Sequence, residues 1–337
     1  MRKLLNTVYV TSESAYLSLE NENLVCRVEN EAKLRIPLVN VESIVCFGYL
    51  GCSPALMGKC VEEQVALSFV SPQGKFLAKV TGETRGNVFL RVSQIDTIRE
   101  NGLLLTKNTI AAKLNNCISV LRRSKHDIPA LREDAEISAV TDYLKNGITK
   151  VYEADSDETV LGIEGNCAKQ YFSVFGKLFT GDTRFEYRSK RPPLDPVNAV
   201  LSFLYTLLTN EYAAALETVG LDSYYGFYHR LRSGRSSLAC DLVEEARCHI
   251  GRFTLTLFNL GILNDNDFEV KPSGAVWLNV EGRKKLLAKW QEKKRSDFEH
   301  PYLKQKIPFG LLPYVQSNLF AKYIRGDIDE YPCYINR

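Results

Sequence analysis

Up to about residue 95 the chain runs in short apolar stretches rich in β-branched and aromatic residues. Val8-Tyr9-Val10, Ala15–Leu19, Leu24–Val28 and Leu34–Leu38 each fit a strand, in which successive side chains point to opposite faces. Polar clusters such as Glu20-Asn21-Glu22-Asn23 separate them and read as turns. Val41–Phe47 reads as a further strand. Ser53–Gln64 predicts one short helix: Ser53 suits the N-cap, and Pro54 suits the first helical position, where its missing N–H costs nothing. Val65–Val70 and Phe76–Val80, joined through Ser71-Pro72-Gln73-Gly74, predict a hairpin. Closely spaced strands with a single helix predict a small β-sandwich.

Near residue 100 the period becomes helical. Ile110, Lys113, Leu114, Cys117, Ile118 and Leu121 recur at helical intervals, and similar spacing fills 133–153, 165–180, 194–218 and 236–260. Asp195-Pro196 starts the 194–218 segment, whose faces carry Asn198, Ala199, Leu201, Leu204, Tyr205 and Leu208. The expected fold is therefore α+β with two domains: a β-sandwich over residues 1–97 and a larger, mainly α-helical domain over 98–337. The chain shows no internal repeat and no low-complexity segment.

Composition adds bounds. The 337 residues suffice for two domains, and 45% apolar with 25% charged residues is ordinary for a globular protein. Forty-three basic against 40 acidic residues give a net charge of +3, which neither demands nor excludes nucleic acid, because local charge decides that. The one strongly basic stretch, 283–306, holds Arg283, Lys284, Lys285, Lys289, Lys293, Lys294, Arg295, Lys304 and Lys306; it fits a solvated helix face as well as a DNA-binding one. Nine cysteines, an odd number without any C-x-x-C pair, predict buried free thiols in a reducing compartment rather than disulfides or a thiolate zinc site. The basic, apolar start is broken by Asn6 and Thr7 and lacks a small-residue cleavage site. No stretch approaches 18 uninterrupted apolar residues, so neither a signal peptide nor a membrane span is expected, and the location expected is cytoplasmic.

Four histidines bear on chemistry. His126 and His300 read as surface loop residues, and His249 as the partner of Glu245 one helical turn earlier. His229 has a different setting: Gly226-Phe227-Tyr228-His229-Arg230-Leu231-Arg232-Ser233-Gly234-Arg235 is a glycine-bounded turn carrying three arginines. The helix that follows, with Ser236 or Ser237 as its expected N-cap, holds Asp241 and Glu244 three residues apart on one face. Imidazole nitrogen with carboxylate oxygens is a donor set for Mg²⁺ or Mn²⁺, and neighbouring arginines suit a phosphodiester. The same acidic turn would equally stabilise its helix through the dipole, so the residues alone leave both readings open. A further ligand must come from elsewhere, and Glu164, in Leu161-Gly162-Ile163-Glu164-Gly165, is a candidate at an expected helix start, where it would also serve as a plain first-turn charge.

Three stretches occur in order: Ile163-Glu164-Gly165-x-x-Ala168-x-x-Tyr171-Phe172, then Arg191-Pro192-Pro193-x-Asp195-Pro196-Val197-Asn198-Ala199-x-Leu201-Ser202-Phe203-x-Tyr205, then Gly226-x-x-His229-x-x-x-x-Gly234-Arg235-x-Ser237-Leu238-x-x-Asp241-Leu242-x-Glu244. Together they closely resemble the CRISPR-associated adaptation integrases, the Cas-one family, over essentially the whole chain. The tail, with Trp277-Leu278-Asn279 and Glu281-Gly282-Arg283-Lys284, looks most like the form accompanying type I-C systems. The resemblance implies an N-terminal β-sandwich that forms a homodimer and a helical catalytic domain. It implies Mg²⁺ or Mn²⁺ on Glu164, His229 and Glu244, with Asp241 as a further catalytic carboxylate. It implies a DNA endonuclease and integrase that joins fragments of double-stranded DNA to the CRISPR repeat, acting with a small companion, Cas-two. Arg230, Arg232, Arg235 and Arg247 are then expected at phosphates, Arg235 or Arg247 alternatively neutralising ligand carboxylates, with Lys289 and Lys293 of the basic stretch as further DNA contacts. A non-catalytic DNA-binding scaffold and a metal-dependent RNA nuclease are the rival readings.

Overall fold

The computed structural model describes residues 6–12, 14–48, 51–72, 76–82 and 88–336. The chain forms two compact units: residues 1–85 with 278–298 and 308–311, and residues 86–277 with 299–307 and 312–337. The expected division at 97/98 falls inside a helix, and the first unit recovers a segment from far along the chain. Local periodicity could not show that return, because it is made by packing.

In the first unit β1 (Thr7–Val10), β2 (Ala15–Glu20), β3 (Asn23–Val28), β4 (Glu31–Pro37), β5 (Ser43–Phe47) and β6 (Gly51–Cys52) precede α1 (Pro54–Glu62), β7 (Ala66–Val70) and β8 (Phe76–Val80). They make two four-stranded sheets, ordered β1-β5-β7-β8 and β4-β3-β2-β6. β1, β5 and β7 run parallel, and β8 returns antiparallel to β7. Leu17 and Leu24 of one sheet, Ile44 and Leu67 of the other, and Leu56 of α1 share one buried core, so the β-rich expectation holds. The Ser53 side chain accepts from Leu56 N at 3.2 Å, with Pro54 at the first helical position, as the sequence predicts. Residues 1–5, and the β7–β8 turn at 73–75, lie outside the described residues.

The second unit is helical: α2 (Val88–Asp127), α3 (Ala135–Glu153), α4 (Asp157–Phe175), α5 (Pro196–Thr218) and α6 (Ser237–Asn259). β9 (Phe268–Val270) and β10 (Val276–Leu278) then pair, α7 (Val280–Arg295) belongs to the first unit, β11 (Asp297–His300) pairs with β12 (Gln305–Pro308), and α8 (Leu312–Ile324) returns to the second. The 40-residue α2 lies against α3, α4, α6 and α8. No described helix is long and apolar enough to cross a membrane. All nine cysteines are free thiols, six of them buried.

Several local expectations change. α4 begins at Asp157, capped by Ser156, so Glu164 stands inside the helix and not at its start. His126 lies in the last turn of α2. His300 is fully buried, its Nε2 meeting Gln316 Oε1 at 3.0 Å; a neighbouring proline marked it as a loop residue, but the strand pairing of β11 carries it inside. The basic stretch is not one solvated face either. Arg283 is buried and donates to Pro72 O, and Lys294 is buried and donates to Thr7 Oγ1 at 3.0 Å. Trp290 of α7 is wholly buried, edge-on to Phe309 at 5.9 Å between ring centroids. Trp290→Ala is expected to lower the stability of the first unit by about 3–5 kcal/mol, the usual cost of emptying an aromatic core position; urea unfolding followed by circular dichroism measures it.

Candidate metal centre

The histidine turn is built around one carboxylate. Asp241, in the second turn of α6 and fully buried, accepts Phe227 N at 2.7 Å and Tyr228 N at 3.1 Å on Oδ2, and His229 N at 2.9 Å on Oδ1. His229 Nδ1 meets the same Oδ1 at 2.6 Å. An ionised carboxylate can only accept, so the ring carries its proton on Nδ1, and a neutral imidazole then presents the Nε2 lone pair. Asp241 therefore orients the histidine, and its oxygens are already taken; it is not a carboxylate offered to a substrate or ion. A Cβ at Gly226 would run into this carboxylate and into the backbone at Ser237–Leu238, which is why glycine opens the turn. Ser236 stands at the N-cap of α6 without a side-chain cap bond, against expectation; Leu238 N and Ala239 N instead donate to Ser223 O at 3.0 and 3.4 Å. That carbonyl replaces the hydroxyl because the turn folds back over the helix start. Gln94 of α2 fixes the turn's approach, donating to Asp222 O and Tyr225 O, each at 2.9 Å.

Glu164 of α4, Glu244 of α6 and Lys113 of α2 meet beside His229. Lys113 Nζ makes ion pairs with Glu164 Oε1 and, at 2.6 Å, with Glu244 Oε2. Arg247 Nη2 takes Glu244 Oε1 at 3.0 Å, and His229 Nε2 faces that same oxygen at 3.9 Å. Tyr228 Oη lies 3.5 Å from Glu164 Oε2. Burial alone would raise the Glu244 pKa, but Arg247 and Lys113 outweigh it and hold the carboxyl well below the usual range. Burial likewise works against a charged Lys113, and the Glu164 and Glu244 carboxylates overcome it, raising its pKa. The neighbouring thiols of Cys117 and Cys167 are pushed up by burial to about 12 and about 11, so they stay protonated.

The structure thus brings Glu164 of α4 beside His229 and Glu244, which neighbouring segments of the chain supply, and adds Lys113 of α2, which sequence reasoning missed. Its signal was present: a lysine sits in the apolar stripe Ile110, Leu114, Cys117, all three of them buried. Arg188 was missed as well. It sits 5.6 Å over the Tyr205 ring, where Arg247 also lies at 5.1 Å, and is held by Asn198 Oδ1 at 2.7 Å and Ser202 Oγ at 3.0 Å. The Asp195–Asn198 motif therefore serves to staple the 187–198 segment: Asn198 N donates to Asp195 Oδ1 at 2.7 Å, and Asn198 Nδ2 to Tyr187 O at 2.8 Å.

The arginines divide. Arg247 pairs with Glu244, because its helical position, three residues on, turns it to the same face. Arg230 is well exposed and pairs with Glu158 at 3.2 Å, Arg232 is exposed, and Arg235 lies against the Cys240 thiol. Lys289 and Lys293 lie on α7 in the first unit; Lys289 pairs with Glu292 at 2.8 Å, and Lys293 sits 5.0 Å over the Phe309 ring.

Among the described residues, no three acidic, histidine or cysteine side chains are already grouped closely enough to hold an ion as they stand. The donor chemistry nonetheless fits one. Two carboxylates turn to one cation, the Lys113 ammonium, and an imidazole with its outer nitrogen anchored stands beside them. Oxygen donors with one imidazole suit Mg²⁺ or Mn²⁺, and a carboxylate behind the histidine is the usual support for a metal ligand.

The family model described as CRISPR associated protein Cas1 matches residues 8–292. A CRISPR-associated endonuclease Cas1 of Chlorobaculum tepidum is 41% identical over 343 residues, covering all of both chains. One of Rhodospirillum rubrum is 44% identical over 340 residues, covering 98% of each. Among solved structures, a Cas1 protein from Thermotoga maritima shares the fold with a TM-score of 0.81 at 22% identity, over 95% of this chain and 97% of that one. A casposase bound to integration product gives 0.84 at 20% identity, over 98% and 94%.

Asp241→Ala is expected to cost about 3–5 kcal/mol, because it strips a buried charge from three backbone N–H groups and an imidazole. Chemical denaturation gives the loss, and a cost below about 1 kcal/mol would show that the turn holds itself.

Proposed function

Since the chain belongs to the Cas1 family of CRISPR-associated proteins, we propose that it is a divalent-metal-dependent DNA endonuclease and integrase of CRISPR adaptation. One observation carries the reading: Glu164 and Glu244, on different helices, turn to a single cation beside a histidine whose other nitrogen is anchored. Sharing one cation between two helices carries a desolvation cost that separate partners at the surface would avoid.

Glu164, Glu244 and His229 would hold Mg²⁺ or Mn²⁺. When bound, the ion lowers the pKa of an attacking hydroxyl, polarises the phosphoryl oxygen and steadies the leaving oxygen. In joining, a fragment's 3′-hydroxyl attacks a phosphodiester of the repeat: the new P–O bond forms as the old one breaks, and the repeat strand leaves with its own 3′-hydroxyl. The protein's residues position this chemistry. Asp241 keeps His229 in one tautomer and one orientation, Tyr228 bounds the site beside Glu164, and Arg247 keeps Glu244 ionised. Arg188, beside Arg247 over Tyr205, extends the positive charge where a phosphate backbone would lie.

The casposase neighbour, caught with an integration product, supports strand joining as the reaction class. A second neighbour in fold belongs to a Cas6-RT-Cas1–Cas2 complex, with a TM-score of 0.83, and supports a Cas2 companion. We assign homodimerisation to the β-rich unit and the chain to the type I-C form, both on the sequence resemblance.

Glu164→Gln, His229→Ala and Glu244→Gln are each expected to lower Mn²⁺-dependent cleavage and joining of DNA at least about a hundredfold, a loss seen even for partners behind a metal ligand. Circular dichroism should stay unchanged, and matched RNA should not be cut. Any variant with full activity removes its residue from the site. Lys289→Gln with Lys293→Gln is expected to weaken DNA binding at low salt and to flatten its salt dependence by about one unit of slope per lost phosphate contact. Unchanged affinity at low salt makes that part of α7 a solvated face.

A further inference from the structure

Lys113 is costly where it stands. It sits among Ile110, Leu114 and Cys117, all buried, and its own side chain is 10% exposed. Burying an ammonium takes several kcal/mol that an apolar residue of similar size would not. Packing of α2 against α4 and α6 therefore does not explain a lysine; the two carboxylates do.

Charge and space then conflict. Glu164 and Glu244 contribute two negative charges, and Lys113 and Arg247 two positive ones, so these four ion-paired groups already balance. A divalent ion added to them would leave two positive charges uncompensated by these groups, beside the buried Lys113 and Glu244. Lys113 Nζ also lies 2.6 Å from Glu244 Oε2, whereas Mg²⁺ takes its oxygen ligands at about 2.0–2.1 Å. An ion and an ammonium cannot both hold that oxygen from the same side. Arg247 binds the other oxygen of Glu244, so it is Lys113 that stands between the two ligand carboxylates.

We propose that Lys113 is the internal counter-ion of the Glu164–Glu244 pair, which a divalent ion must displace, so that this lysine sets how readily the site takes up metal. The inference rests on the metal reading of Glu164, His229 and Glu244. On its flexible four-carbon stem the ammonium swings aside while remaining charged. Removing that charge takes away the competitor and leaves the buried Glu244 and the half-buried Glu164 in need of a cation.

Mn²⁺ titration by calorimetry on the full chain, without DNA, tests this in the wild type, Lys113→Met, Lys113→Arg and His229→Ala, with thermal unfolding measured alongside. Lys113→Met is expected to bind Mn²⁺ at least about tenfold more tightly than the wild type, a modest return on the cost of an unpaired buried charge. It should melt lower without Mn²⁺ and gain more from Mn²⁺ than the wild type does. Lys113→Arg keeps the charge and should bind Mn²⁺ no more tightly than the wild type. A purely structural lysine would lower the melting temperature without tightening Mn²⁺ binding. Should Lys113→Met fail to fold, Lys113→Gln carries the same expectation, because its amide is neutral yet still donates to the carboxylates. Wild-type binding that is lost in His229→Ala but no tighter in the neutral variants overturns this inference and leaves the metal reading standing. No Mn²⁺ binding by the wild type or the neutral variants overturns both.

Discussion

A buried carboxylate, Glu244, and a half-buried one, Glu164, turn to the same cation, and the helices of the second unit are arranged to supply it. Glu164 and Glu244 come from α4 and α6, and the Lys113 ammonium that joins them comes from α2, the long helix against which both pack. Each carboxylate alone would be expensive to hide, and so would the lysine. Together they cancel, and the cancellation ties three helices at one point. Arg247 completes the balance on the second oxygen of Glu244.

Much of the rest follows from keeping water and slack away from that point. His229 is no freely rotating surface histidine, because Asp241 holds both its backbone and its ring. Asp241 is held in turn by where α6 begins, and the start of α6 is set by Ser223 O rather than by its own serine. The chain approaching Ser223 is fixed by Gln94, 128 residues earlier than Asp222, whose carbonyl it binds. A one-ångström error at the imidazole would thus need several buried hydrogen bonds to give way together.

Periodicity made the elements legible: short alternating strands, then helical spacing, with Ser53-Pro54 and Asp195-Pro196 marking two helix starts correctly. What it missed was non-local. Residues 278–298 return to the first unit, His300 is carried inside by a strand pairing, and α6 is capped from another segment. In the candidate site, His229 and Glu244 stood out by chemistry and short spacing, while Glu164 entered through the resemblance, since nothing nearby in sequence tells a ligand from a helix charge. Asp241 stood out too, but an i, i+3 spacing gives a shared face and not the direction of each oxygen, so the hold of Asp241 on the histidine turn was not legible.

Glu244 and Glu245 show how far environment outruns residue type. They are adjacent on α6 and both buried. Glu244 faces Lys113 and Arg247 and is held strongly acidic. Glu245 faces the tail instead, accepting Tyr334 N at 2.7 Å and Gln316 Nε2 at 2.8 Å, and burial pushes it up to about 7. No lysine or arginine pairs with it among the described contacts, so neutral donors do the holding, and burial prevails over them. α2 serves both sides of this division: Lys113 pairs with Glu244, and Asn116, three residues on, donates to Glu245 O at 2.8 Å and Tyr334 O at 2.9 Å. Gln94, Thr106, Lys113 and Asn116 are among the buried polar residues of this helix. Each is placed where another segment must be held: Gln94 takes the approach to the histidine turn, Thr106 reaches Phe227 O within it, Lys113 takes the carboxylates, and Asn116 the tail. A buried polar residue on such a helix is costly unless it is satisfied, so its position marks where a distant part of the chain must dock.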